Sequence, residues 1–335
     1  MAVIAMDNSQ SDSPLTAPAG VTAADSLRPL LIVGPTGAGK SELSLELARR
    51  LDQPVEIING DSMQMYRGMD IGTAKISRAA RAEFPHHLFD CLDVDDTASV
   101  AAYRAMAEET VEQIQDRGAR PIIVGGSMMY LQALVDDWQF PPTDPAVRAK
   151  WMAEQDRIGV QALHGVLRSQ DPEAADIIEE KDPRRIVRAL EVIELTGKPF
   201  AASQPPKNVP TRWGTRIFGL NAPGNWLNPR LEARVDRMFA AGLVGEVEDL
   251  AAAGLRRDST AGKAIGYAQV LSALAGECSM EQAREDTVVG TRRYARRQRS
   301  WFRRDPRIHW LDATLADPGL LAGQVIDELG EFSRS

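Results

Sequence analysis

Gly34-Pro35-Thr36-Gly37-Ala38-Gly39-Lys40-Ser41 fits the G-x-x-x-x-G-K-[ST] phosphate-binding pattern, and its flanks decide the fold. Leu30-Leu31-Ile32-Val33 before it reads as a buried strand. Glu42 to Leu51 after it places Leu43, Leu47 and Leu51 on one face, with Ala48 beside them, and reads as an amphipathic helix. Strand, loop and helix in that order predict an α/β protein with a P-loop NTPase-like parallel sheet flanked by helices. The glycines let backbone N–H groups turn inward, and the helix N-terminus adds partial positive charge, so adjacent phosphates are held there. Lys40 adds a full charge, and the Ser41 hydroxyl completes a Mg²⁺ shell shared with the phosphates. Read alone, the loop suggests a nucleoside triphosphate such as ATP.

Further strands follow. Val55-Glu56-Ile57-Ile58-Asn59 alternates into a short strand ending at Gly60-Asp61-Ser62. Ligands of an open α/β sheet collect at the carboxyl ends of its strands, so topology places Asp61 near the phosphates. Met63 to Lys75 has neither helical nor strand period and is dense in polar residues, which predicts a substrate-contacting segment. His86 and His87, beside Pro85 at a strand edge, are expected to be structural. Ser99 to Gly118 is a helix capped by Ser99, with Tyr103, Met106, Thr110, Val111 and Ile114 facing the sheet. Pro121-Ile122-Ile123-Val124 then runs into Gly125-Gly126-Ser127, where the glycines permit close approach of a ligand and Ser127 offers a hydroxyl. No magnesium-binding Asp ends that strand, and no N-K-x-D base-reading motif of the GTPase type occurs.

From Trp138 the composition shifts. Pro145 to about Gly197 reads as helical throughout, an inserted all-helical subdomain over 138–200. Its clearest helix starts with Asp182 as N-cap and Pro183 in first position, ends at Gly197, and buries Ile186, Leu190 and Ile193. Arg184, Arg185 and Arg188 crowd its N-terminal end, where cations oppose the helix dipole. They suggest a ligand, with salt bridges to Glu180 or Glu191 as the structural alternative. The core comprises 29–137 and 201–325, and 1–28 forms a disordered tail rich in Ser, Ala, Asp, Thr and Pro.

Thr215 to Leu220 returns as a core strand, and Asn228 to Ala241 as a helix carrying Arg230, Arg234 and Arg237. One of these arginines can reach the phosphates, although pairing with Glu232 or Asp236 fits the spacing equally. Gly262 to Tyr267 is a glycine-flanked loop before a helix from Gln269. The last long helix, roughly Glu281 to Arg304, holds Arg292, Arg296, Arg299 and Arg303 on one stripe. Tyr294, Trp301 and Phe302 are interleaved. Eight arginines between Arg292 and Arg307 face the single Asp305, a patch suited to a phosphate backbone, with a solvated helix face as the structural alternative.

The 335 residues suffice for two domains, and the net charge of −8 argues against a general polyanion binder, which makes the local basic patch informative. Cys91 and Cys278 are isolated and suit a reducing cytoplasm; four histidines make no evident metal centre. No apolar run reaches the roughly 20 residues that span a bilayer.

The motifs together resemble the tRNA dimethylallyltransferase (isopentenyltransferase) family. After the P-loop, Asn59-Gly60-Asp61-Ser62-Met63-Gln64-Met65-Tyr66-Arg67-Gly68-Met69-Asp70-Ile71-Gly72-Thr73-Ala74-Lys75 is the most specific block. Pro85 to Leu88, Val124 to Leu131, Asp182 to Glu191, Ala264 to Tyr267 and Thr291 to Gln298 follow in the family's order, so the likeness spans about Pro29 to Leu311. It implies transfer of a dimethylallyl group from dimethylallyl diphosphate to N6 of the adenosine 3′ to the anticodon, by a monomer acting on the tRNA anticodon stem-loop. The P-loop, Gly34 to Ser41, would then hold a leaving diphosphate, with Lys40, Arg234 and Mg²⁺ near Ser41 neutralising it. Asp61 matches the family's general base. The base would be extruded into a channel where Ser62, Met63, Gln64 and Ser127 position it. Further tRNA contacts are implied at Arg148, Arg184, Arg185, Arg188, Lys263, Gly266, Tyr267, Arg292 and Arg296. The family often has Ala-Ser where Gly37-Ala38 stand, Thr at Ser127 and Gln at Arg184. No zinc-finger cysteines follow the core, as in bacterial forms. Two rivals, a P-loop kinase of a small metabolite and a non-catalytic RNA-binding NTPase, share the loop but not the second block.

Overall fold

The computed structural model describes residues 27–332 except 137, 139 and 201–208. The tail expected over 1–28 therefore lies almost wholly outside the described residues, as does most of the proline-rich segment after Phe200.

Six parallel strands form one sheet in the order β3-β2-β4-β1-β5-β6: β1 (Leu30–Val33), β2 (Val55–Asn59), β3 (His86–His87), β4 (Arg120–Val124), β5 (Arg216–Asn221) and β6 (Ile308–Asp312). Both faces of a parallel sheet are covered, so its central strands are apolar without interruption. In β1 the pleat sends Leu30 and Ile32 to one face and Leu31 and Val33 to the other. The first face packs on α1 (Lys40–Arg50), α9 (Gly224–Ala240) and α13 (Pro318–Phe332), through Leu43, Leu47, Leu227, Leu231 and Leu321. The second packs on α3 (Val100–Asp116) and α4 (Met128–Val135), through Tyr103, Ala107, Val111, Ile114, Leu131 and Leu134.

Between the strands, the short α2 (Arg78–Arg81) leads into β3. The insertion is four helices rather than one run: α5 (Pro145–Ile158), α6 (Val160–Gln170), α7 (Pro172–Ile177) and α8 (Pro183–Thr196). They share a core of Leu163, Leu167, Ala174, Ile178, Ile186 and Leu190 that is separate from the sheet's two. Three of the four begin with Asp-Pro. Asp144, Asp171 and Asp182 each cap a free amide, and the proline occupies the first turn, where its missing N–H is harmless. Glu191, on α8, is fully buried and anchors the linker: it accepts the Thr143 hydroxyl at 2.6 Å and the Asp144 N–H at 3.0 Å.

Beyond β5, α10 (Leu243–Ala252) and α11 (Tyr267–Leu274) build a fourth core with Tyr66 and Met69. The basic helix α12 (Met280–Phe302) packs along α9 and α11. Several boundaries move by a few residues from expectation. α11 starts at Tyr267, two residues before Gln269, and α9 starts at Gly224, placing Pro229 inside the helix, where its missing N–H leaves the Asn225 carbonyl without its intrahelical partner.

Candidate active site

The phosphate loop joins β1 to α1. Gly39, with φ of 96°, is the N-cap, and as it has no side chain the first amides of α1 stay open. A cavity of about 840 Å³ covers them, lined by the loop from Thr36 to Ser41 and by Arg230, Arg234 and Arg237 of α9. Four cations and two acids, Glu42 and Asp61, face it, so its charge suits a polyphosphate. Lys40 Nζ donates to the Pro35 carbonyl at 2.9 Å. Burial pulls its pKa down to about 8, Asp61 and Glu42 pulling upward and Arg234 further down. Burial likewise lowers Arg234 from its usual range against the pull of Asp61 and Glu42, while its Nη2 donates to the Thr73 carbonyl at 3.3 Å. Arg230 stacks on Trp226 with its guanidinium carbon 4.4 Å from the ring centre.

A second cavity of about 370 Å³ lies on the other side, lined by Ser62, Met63, Val235, Met238, Ile265, Thr291, Tyr294 and Arg297 among others. Thr36, Asp61 and Arg234 line both. The two cavities therefore meet at a carboxylate and a guanidinium, one polar and cationic on the phosphate side, the other walled largely by apolar atoms.

Asp61 leaves the end of β2 and caps the turn Ser62–Met65, its Oδ1 accepting the Met63 N–H at 3.0 Å. Asn59 holds its backbone, and the buried Ser127 Oγ accepts the Ser62 N–H at 3.0 Å. Gln64 is turned to the Thr73 carbonyl at 3.2 Å. The loop that lacked any period is fastened both from within and from outside. Lys75, with its side chain 1% exposed, bonds the Tyr66 carbonyl, Asp70 and Asp90. Glu246 of α10 accepts the amides of Asp70, Ile71 and Gly72.

Several expected RNA contacts have other partners. The Tyr267 side chain is fully buried and its hydroxyl bonds Glu246, so its phenol is not at the surface. Arg188 donates to Glu191 at 2.8 Å and to the carbonyls of Pro141 and Pro142; Arg148 reaches Glu191 at 2.9 Å. That is the salt-bridge alternative, made with Glu191. Arg292 pairs with Glu232 at 2.6 Å. Lys263 lines the second cavity while bonding the Asp258 carbonyl, and Gly266, φ 95°, opens α11. Arg184, Arg185 and Arg296 are exposed, as are Arg293 and Arg297. Neither His86 nor His87 lines either cavity: His87 pairs with Glu56 at 2.6 Å and His86 Nδ1 bonds the Phe84 carbonyl at 2.7 Å.

Gln298, Glu246 and Asn59 received no role from the sequence. Glu246 and Gln298 lie 174 and 262 residues from the loop amides they hold, a separation that no local pattern signals.

Among the described residues no group of three or more His, Cys, Asp or Glu could hold a metal ion. The Ser41 hydroxyl beside Glu42 and Asp61 in the cationic cavity fits a Mg²⁺ whose shell is mostly phosphate and water, the coordination that ion prefers.

The model of the IPP transferase family matches residues 64–305. The chain is 91% identical over 329 residues to a tRNA dimethylallyltransferase of Corynebacterium urealyticum, covering 98% of this chain and all of that one. It is 63% identical over 292 residues to that of Corynebacterium jeikeium, covering 87% and 94%. Among solved structures, the tRNA isopentenylpyrophosphate transferase of Bacillus halodurans superposes with a TM-score of 0.66 at 36% identity, covering 92% of this chain and 98% of that one. A eukaryotic dimethylallyltransferase acting on tRNA gives 0.74 at 27% identity, covering 89% and 77%.

Proposed function

The chain belongs to the IPP transferase family, and on that premise we propose that it moves the dimethylallyl group of dimethylallyl diphosphate onto N6 of the adenosine 3′ to the anticodon of tRNA. The observation that carries this is the meeting of the two cavities at Thr36, Asp61 and Arg234. A donor held by its diphosphate on the cationic side presents its allylic carbon at the junction. An adenine entering from the other side brings N6 to the same point.

The chemistry divides between the walls. The bond between the allylic carbon and the diphosphate oxygen breaks, and the oxygen leaves with the electron pair. The open amides of α1, Lys40 and Arg234 stabilise that charge in a partly dehydrated cavity, where such interactions count for most. The nitrogen lone pair forms the new C–N bond. Alkylation makes the N6 proton acidic, so the Asp61 carboxylate can take it. Mg²⁺ at Ser41 would further neutralise the leaving diphosphate.

An adenine stacked in an anticodon loop cannot reach Asp61, so the base must be extruded, and Met63, Val235, Met238 and Ile265 offer it an apolar slot. Exposed Arg293, Arg296 and Arg297 on α12, with Arg184 and Arg185 on α8, supply charge for the RNA backbone. We assign the reaction to a monomer working on tRNA in the cytoplasm. Among the described residues no helix is long and apolar enough to cross a membrane.

Incubation with labelled dimethylallyl diphosphate, Mg²⁺ and an unmodified anticodon stem-loop, without ATP, tests this. Labelled N6-dimethylallyladenosine in the digested RNA is expected. Label confined to the unreacted donor, with ATP consumed instead, would favour the kinase or NTPase.

A further inference from the structure

Gln298 lies among the arginines near the C-terminal end of the basic helix α12, yet it is 1% exposed. Both ends of its amide are engaged. Oε1 accepts the Thr36 N–H at 2.9 Å, and Nε2 donates to the Gly126 carbonyl at 3.0 Å. One turn earlier the Tyr294 hydroxyl donates to the same carbonyl at 3.3 Å. A Cβ on residue 126 would stand 2.2 Å from Nε2, so the absence of a side chain there is what makes room for the amide.

The Thr36 N–H and the Pro35 carbonyl belong to one peptide group, which is planar and stiff. Gln298 holds one edge of that plane. Lys40 Nζ donates to the other, through the Pro35 carbonyl at 2.9 Å. A continuous path of hydrogen bonds thus runs from α12 through a single peptide plane to the lysine of the phosphate loop. In the chain Gln298 directly follows Arg297, which lines the second cavity, and the exposed Arg296. An ordinary loop amide would be free to turn toward phosphate; this one is aimed at a side chain of the helix that presents the arginines.

We infer that Gln298 is a positioning residue which orients the Pro35–Thr36 peptide and Lys40, and so couples RNA docking on α12 to diphosphate binding in the P-loop. This rests on the two-substrate function proposed above. Coupling between the sites is reciprocal: RNA on α12 should tighten diphosphate binding by the factor by which diphosphate tightens RNA binding.

The test uses the full chain and two probes, inorganic diphosphate with Mg²⁺ followed by calorimetry, and an anticodon stem-loop followed by fluorescence anisotropy. Gln298→Ala removes both bonds. Gln298→Glu keeps an acceptor for Thr36 but sets a carboxylate oxygen against the Gly126 carbonyl. Gly126→Ala displaces the amide without altering it. Each is expected to weaken diphosphate binding by about tenfold, as loss of a hydrogen bond worth about 1.4 kcal/mol would. Each should also abolish the tightening by RNA while stem-loop affinity alone changes little. The Gly126→Ala, Gln298→Ala double variant should bind diphosphate no more weakly than Gln298→Ala, because both act on one contact. Folding is followed separately by thermal melts. Folded variants that bind diphosphate as the wild type does, with RNA coupling intact, would overturn the assignment even if their melting temperatures fell. A wild-type protein that shows the coupling but transfers no dimethylallyl group would leave Gln298 its role and remove the proposed donor.

Discussion

Asn59 grips the backbone of Asp61 at both ends: its Oδ1 accepts the Asp61 N–H at 2.9 Å and its Nδ2 donates to the Asp61 carbonyl at 2.9 Å. Tyr103 of α3, fully buried, donates to the Asn59 carbonyl at 3.1 Å and ties this end of β2 to the helix packed on it. The position of the proposed base is therefore set from beneath, independently of its carboxylate. Asp61→Asn keeps the shape and the Met63 contact geometry but cannot accept the N6 proton. Its kcat should fall by about 10²- to 10⁴-fold with stem-loop affinity retained, measured by single-turnover transfer and anisotropy. Asn59→Ala, in contrast, should cost about 2 kcal/mol of stability, read by urea unfolding, because the Asp61 N–H and carbonyl and the Leu88 carbonyl, all partly buried, lose a partner.

Lys40 titrates within a reachable range. With its pKa at about 8, the unliganded loop loses this charge as the pH rises through 8, so diphosphate affinity should fall by up to about tenfold between pH 7 and pH 9. Calorimetry across that interval measures it, with Lys40→Met as the variant whose affinity should be low and nearly flat. The consequence for stability has the opposite direction. A lysine whose folded pKa lies near 8 rather than 10.5 binds fewer protons folded than unfolded between those values. Its burial therefore penalises the fold below pH 8, and the penalty fades as the pH rises toward 10.5.

The parts of this site that were legible in the sequence are those that short range determines. Gly34 to Ser41 must sit between a strand and a helix, and the end of β2 must lie beside it, so Lys40, Ser41 and Asp61 could be placed from pattern and topology alone. Arg234 could only be narrowed to one of three arginines on a helix, since spacing sets a face and not a target. The Arg188–Glu191 pair, three residues apart on one helix, was within reach of spacing, whereas Arg148 shows the converse limit. Nothing in its spacing reveals that it closes on the same buried Glu191, since that contact depends on how α5 and α8 pack. Gln298 and Glu246 were illegible for the same reason: each uses a side chain to satisfy backbone amides far away in sequence. β6 also gave no signal, because Arg307-Ile308-His309-Trp310 carries charge and aromatics at a sheet edge, where one flank of the strand stays unpaired.

Glu191 offers an acid-sensitive test of the insertion. Burial opposes its charge, but the Thr143 hydroxyl, Arg188, the Asp144 amide and Arg148 together hold its pKa down to about 2. Stabilisation from this group is complete above its ordinary pKa of 4.5 and is lost as the pH falls from there toward 2. Glu191→Gln should lower stability by about 2–4 kcal/mol at pH 7, because two arginines lose their shared counter-charge. The difference between variant and wild type should shrink as the pH is lowered through that window, followed by circular dichroism in urea.

Gly125 and Gly165 make opposite predictions for the same substitution. A Cβ on residue 125 would lie 2.1 Å from the Gly60 carbonyl oxygen and 2.2 Å from its carbon. This is backbone against backbone, and no rotamer relieves it. The strands β2 and β4 are paired up to Asn59 and Val124, so the strain must be taken up by the turns that follow, and the residue next to Gly60 is Asp61. Gly125→Ala should therefore destabilise the protein by about 1–3 kcal/mol and reduce transfer beyond what the loss of folded protein explains. Gly165 lies inside α6 with no atom within 4 Å of its would-be Cβ and no left-handed backbone. Gly165→Ala should stabilise by about 0.5–1 kcal/mol through the entropy of the unfolded chain and leave transfer unchanged. Thermal melts and transfer rates on the two variants separate a glycine that the junction requires from one that the helix merely tolerates. Equal behaviour of the two would mean that the contact between Gly60 and Gly125 does not set the position of Asp61.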